Sequence, residues 1–209
     1  MNVFVSAALG LAAATATYAA GPAPAPAPGE PTLAEVRAAT ARFQDAKVAL
    51  AEGYINPGNA CETAAQMGMD HALGGMGIHF FRPDLLGVAG PPNPRVTGTG
   101  THTDFRKPAI LIYEPRADGT LELVAVENLV FEKAWKAAGN KGRPSFHGVE
   151  YEHMADDPAT PMDEAHMFEP HFDKHVWLWR DNPNGVFTPF NPKVTCEHAK
   201  APQKAHNGH

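Results

Sequence analysis

The chain has 209 residues, 44% hydrophobic and 19% charged, with a formal net charge of -6. Such a length and balance suit one globular domain with a real core and leave too little chain for two. No Lys/Arg-rich run exists, which argues against an electrostatic nucleic-acid surface.

The first twenty residues, MNVFVSAALGLAAATATYAA, are apolar or small and carry no charged side chain. They read as a signal peptide over 1–20, cut after Ala19 or Ala20, although a basic n-region is missing. Ala, Gly and Thr make the segment poorly hydrophobic for a bilayer span of ~20 residues. No later stretch suits a span, so a secreted or periplasmic mature protein without a membrane span is expected. In that oxidising compartment Cys61 and Cys196, the only cysteines, are expected to form a disulfide; the alternatives are free thiols or a metal thiolate.

Residues 21–31, GPAPAPAPGEP, form a Pro/Ala-rich spacer, expected to be extended and solvated. A single globular domain follows over 32–196, then a disordered tail over 197–209 containing His198, His206 and His209. Thr32 and Glu35 have the spacing of a capping box. Val36, Phe43 and Leu50, with Ala39 and Ala46, mark one face of a helix running to about Gly53. Beyond it, Gly77–Phe81 reads as a short strand, 87–104 as a loop, and Ala109–Tyr113 as an apolar strand. A turn at Arg116-Ala117-Asp118-Gly119 leads into a long strand, Leu121–Phe131, completing a hairpin with an Asp-Gly signal. Residues 132–139 suit one or two helical turns, and 140–170 a long irregular excursion.

The pattern richest in chemistry is His171-Phe172-Asp173-Lys174-His175-Val176-Trp177-Leu178-Trp179. Its β-branched and aromatic end favours a strand, which would align His171, Asp173 and His175 on one face, with Trp177 and Trp179 continuing that face. Imidazole and carboxylate are donors that transition metals accept from proteins. The bland alternative is a solvent-facing row, to which Lys174 and Arg180 would be suited. In the strand Leu121–Phe131, Glu127 shares a face with Leu121, Leu123, Ala125, Leu129 and Phe131. A carboxylate in an apolar row must find a partner, shift its pKa or face a cavity. The competing reading is a structural ion pair with Arg180 or Arg82. If the strands neighbour one another, His79, Glu127, His171 and His175 could converge as metal ligands, with Asp173 a further ligand or an acceptor orienting an imidazole. His71, His153 and His166 lie close to methionines, a soft-donor pairing that suits copper, but Met also fills gaps in cores.

The segments His171–Trp179, Asn182-Pro183-Asn184-Gly185 and Asn191–Cys196 resemble a group of secreted bacterial proteins of uncharacterised activity. Gly75–Phe80 and the hairpin from Ile112 to Glu127 are similar as well. Residues 140–166 are less alike, which sets His147, His153 and His166 apart. The resemblance supports the choice of His79, Glu127, His171 and His175 and implies no activity.

The expected architecture is α+β, an N-terminal helix packed on a mainly antiparallel β-sheet or partly closed barrel with long loops. The expected function is binding of copper, zinc or iron through a His/Glu site on the sheet. One rival is a metal-free module in which Trp177, Trp179, Phe80 and Tyr113 line a pocket for a small molecule. Another is a metal-dependent oxidoreductase or hydrolase, with Glu127 as general base if it is not a ligand.

Overall fold

The computed structural model describes residues 23–58, 60–160 and 163–200. The expected signal peptide lies outside them, as does most of the expected tail. The capping box forms: Thr32 Oγ1 accepts from the Glu35 backbone N–H at 3.2 Å, and the Glu35 carboxylate accepts from Thr32 N–H at 2.7 Å. It opens α1, Leu33–Thr40. The single helix expected to reach Gly53 does not form. A 3₁₀ turn, Ala41–Gln44, ends at Asp45, whose backbone is extended (φ -91°, ψ 107°) and whose carboxylate caps a new helix, α2, Ala46–Ala51. Asp favours caps over helix interiors because its side chain competes for backbone N–H groups. The break rephases the buried face: Val36, Phe43 and Ala49 are buried, whereas Leu50 is 51% exposed.

The sheet strands are β1 Cys61–Thr63, β2 Gly75–Phe81, β3 Ile110–Pro115, β4 Leu121–Phe131, β7 Glu152–Met154 and β8 His171–Trp177. Between them lie α3, Pro83–Leu86, and α4, Glu132–Ala137, while β5, Ser145–Phe146, and β6, Val149–Glu150, pair separately. The order is β1-β2-β3-β4-β8-β7, every pair antiparallel. The fold is α+β: a few short helices and a six-stranded sheet curled into a half-barrel. The expected hairpin joins β3 to β4, its turn closed by Arg116 N–H to Thr120 O at 2.9 Å. The 140–170 excursion is less irregular than its composition implies, since β7 joins the edge of the sheet against β8.

Both faces of the sheet are covered. Val36, Phe43 and Ala49 pack with Ile78, Phe80, Leu111, Tyr113, Val126 and Val176 on one face, while Ile110, Ile112, Ala125, Leu129, Phe131 and Trp177 form the core of the other. Alternation along β4 breaks at a bulge between Ile112 and Tyr113 of β3, where Val124 is the extra residue. Leu121 and Leu123 therefore pack on the helix-covered face, not with Glu127 as a strict period of two would have them. Gly77 enables a second irregularity: its φ is +111°, and a Cβ there would stand 2.6 Å from the Tyr113 carbonyl oxygen.

The expected disulfide is present. Cys61 and Cys196 are bridged with Cα atoms 5.7 Å apart, tying edge strand β1 to the end of the domain. Residues 24, 25 and 27–29 of the Pro/Ala spacer are exposed, and the segment is tied to the domain through His147. His147 faces the Pro24 and Pro31 carbonyls with its two ring nitrogens at 2.9 and 2.8 Å, and its backbone N–H donates to Glu30 at 2.9 Å. The peptide carbonyls of a proline segment still accept hydrogen bonds, and here a buried ring supplies the partner.

Candidate metal centre

Three strands bring the central residues together. Glu127 of β4 pairs in register with His175 of β8, so adjacent strands place carboxylate and imidazole side by side. His79 of β2 lies on the far side of β3, opposite Ile112, and the curl of the sheet lets it reach across. His79 Nε2 is 3.3 Å from Glu127 Oε2, and His175 Nε2 is 3.5 Å from the same oxygen. One donor atom from each of the three residues lies within 4.8 Å of the others, and all three side chains are buried. Donors bound tetrahedrally at ~2.0–2.1 Å lie ~3.3–3.4 Å apart, so these two contacts are near the edges of such a site.

The electrostatics fit the same reading. Burial lowers the pKa of His79, but Glu62 and Glu127 outweigh it and push the ring up to about 9. Glu127 would be raised by burial, yet the charges of His175 and His79 hold it below the usual carboxylate range. His175 is lowered, chiefly by burial, and no hydrogen-bond partner is present for either of its ring nitrogens or for Glu127 Oε2. Buried polar atoms without partners are costly; Glu127 Oε2 and the His175 ring nitrogens are such atoms, and a metal joining them would take the place of the proton that His79 holds beside Glu127. The two arginines offered as structural partners for Glu127 are engaged elsewhere: Arg180 with Glu114 and Glu122, Arg82 with Asp84.

His171 and Asp173 lie on the same face but outside this group of three. His171 Nδ1 faces the Glu169 carbonyl at 3.0 Å, and its Nε2 is 3.9 Å from Asp173. Burial drives the His171 pKa down to about 4. Asp173 is raised well above the ordinary carboxylate value by burial and by the Glu127 and Glu152 charges, which favours its neutral acid. Glu62, which sequence reasoning missed, is 3.6 Å from His79 Nδ1. A metal on Nε2 would leave Nδ1–H facing that carboxylate, an arrangement that fixes ring orientation and raises ligand basicity. The signal for Glu62 lay only in strand pairing, because Cys61 and Glu62 oppose Ile78 and Gly77.

The expected face of aromatics ends early. Trp177 stacks near His175, with ring centroids 6.4 Å apart, and donates to the Thr188 carbonyl at 2.6 Å. The strand then ends, and Trp179 packs against the helix-side core beneath the Arg37 guanidinium. Phe80 and Tyr113 also belong to that core, so the four aromatics proposed to line a pocket do not share one. Lys174 does not face solvent either: it is fully buried and bonded to Glu152 at 2.8 Å.

A cavity of about 860 Å³ opens over the three-residue group, with His79, Glu127, His171, Asp173 and His175 in its wall. No protein-family description, curated protein or solved structure matches this chain.

Proposed function

We propose that the protein binds a transition metal ion, copper, zinc or iron, through His79, Glu127 and His175, in the periplasm or outside the cell. One observation carries the reading: three buried donors from three strands converge, and those of Glu127 and His175 lack hydrogen-bond partners. Two imidazoles and one carboxylate are a donor set used by catalytic zinc and by non-haem iron, with further coordination positions left free. Glu62 would orient His79, and Trp177 would cover His175. The Cys61–Cys196 disulfide is compatible with export, and none of the described helices is long and apolar enough to cross a membrane. The likeness to secreted bacterial proteins belongs to the same proposal.

The cavity supports a second reading, a metal-dependent enzyme acting on a small molecule, because its volume is within the range of ligand sites. Glu127 would then be a ligand rather than the general base, and Asp173 in the cavity wall, whose neutral acid burial favours, would be the proton carrier. The metal would polarise a bound group or activate water.

The test is equilibrium dialysis with elemental analysis on a chain carrying His198→Gln, His206→Gln and His209→Gln, which removes adventitious ligands. One Co(II) or Zn(II) per chain, lost in the Glu127→Gln/His175→Gln double variant, is expected. Stoichiometric metal retained by a folded double variant would eliminate the proposal.

A further inference from the structure

The five methionines of the described residues, Met67, Met69, Met76, Met154 and Met167, all line the cavity above His79, Glu127 and His175. They come from the 3₁₀ turn after β1, from the residues behind it, from β2, from β7 and from the loop before β8. A methionine that only fills a core is buried. Met69 and Met167 are instead 52% and 53% exposed, the highest values among the exposed large apolar side chains.

The loop before β8 holds its donors in a costly backbone conformation. His166 and Met167 have φ of +51° and +67°, in the left-handed region that side chains other than glycine rarely adopt. Met167 N–H donates to Asp163 at 2.8 Å, and its carbonyl accepts from Val96 N–H at 2.8 Å. Both residues line the cavity, as does His153 from β7. The wall carries the carboxylates of Glu62, Glu127, Glu152, Asp163 and Glu164, with Asp173 favouring its neutral acid, against the guanidinium of Arg143 and the His79 ring, whose pKa is raised. That balance draws cations and repels anions.

We propose that the methionine-lined mouth is a second metal site, selective for a soft monovalent cation, Cu(I), held by thioether sulfurs. It deepens the metal-binding reading above, and the two fail separately. Thioethers are neutral and polarisable and select Cu(I), whereas imidazole and carboxylate suit divalent ions. A thioether has no proton to release, so this site holds its ion at a pH where imidazole ligands are protonated.

The test uses the full chain with the three tail histidines replaced by Gln, and two probes. Cu(I), kept reduced with ascorbate, is competed against bicinchoninate at pH 7 and pH 5, and Co(II) reports the His79–Glu127–His175 group. Met67→Leu/Met69→Leu/Met167→Leu keeps apolar bulk and removes sulfur. It is expected to weaken Cu(I) roughly tenfold or more at pH 5 while Co(II) affinity stays within about twofold. Glu127→Gln/His175→Gln should lose Co(II) and keep Cu(I) at pH 5. Unchanged Cu(I) affinity in the methionine triple variant overturns the proposal, as does loss of Cu(I) at pH 5 in the Glu127/His175 variant alone. Failure of Co(II) to bind the parent chain, with Cu(I) still methionine-dependent, would sink the first reading and leave this one standing. X-ray absorption of the Cu(I)-loaded parent chain keeps the question open to refutation if the triple variant misfolds: sulfur neighbours are expected, and a shell of nitrogen and oxygen alone overturns it.

Discussion

Lys174 and Glu152 offer an asymmetric perturbation. The Lys174 side chain is 0% exposed and that of Glu152 34%, and the two meet at 2.8 Å. Glu152→Ala strands an ammonium in the interior, and breaking a buried pair from one side costs ~3–5 kcal/mol. At about 2–4 °C per kcal/mol for a domain of this size, Tm should fall by ~6–20 °C. Lys174→Met removes the buried charge instead, and the freed Glu152 carboxylate can take water. That variant should lie within ~1 kcal/mol of the parent, and Glu152→Ala/Lys174→Met should stay close to it. Urea unfolding of all four proteins measures the cycle. A loss under ~1 kcal/mol for Glu152→Ala, or a larger loss for Lys174→Met than for Glu152→Ala, would refute the reasoning.

Three other outcomes follow from the structure. Cys61→Ala/Cys196→Ala opens a loop of 135 residues and should cost about 5 kcal/mol in the chain-entropy treatment, yet leave metal stoichiometry intact because no ligand lies on β1; calorimetry with metal analysis checks both halves. In the metal-free protein the folded His171 pKa is lowered to about 4 from an ordinary 6.5, so the unfolded chain binds the proton first. Its contribution is complete above pH 6.5 and lost as pH falls towards 4, by ~3 kcal/mol, and a His171→Asn variant should show a shallower acid limb in this window; superimposable limbs would contradict the assignment. His147→Ala leaves the Pro24 and Pro31 carbonyls without their ring partner. It should cost ~1–3 kcal/mol and speed amide exchange at Ala27 and Glu30, and unchanged exchange would show that the ring does not hold this segment.

Local signals carried much of the fold and less of the site. The capping box at Thr32 and Glu35, the Asp118-Gly119 hairpin and the full extent of β4 were legible because each rests on neighbours in sequence. The helix break at Asp45 was not, since a favourable face over 36–50 masked the capping preference of one residue. A bulge at Val124 made strict alternation misassign Leu121 and Leu123, and such bulges are set by strand pairing. Glu127 and His175 were legible as a carboxylate in an apolar row and an imidazole in a striped strand. Four residues along a strand separate side chains by ~13 Å, so only one of His171 and His175 could join Glu127, and the register that chose His175 is set by strand pairing. Glu62 and the gathering of methionines depend wholly on tertiary contacts, which no short motif records.

The central question is whether one ion sits between β2, β4 and β8. Crystals grown with Co(II) or Zn(II), with diffraction recorded on both sides of the metal absorption edge, give the direct measurement. The expected result is one strong anomalous peak ~2.0–2.2 Å from a ring nitrogen of His79, from Glu127 Oε2 and from a ring nitrogen of His175. An ion bound elsewhere, with those three side chains unliganded in well-ordered density, would contradict it.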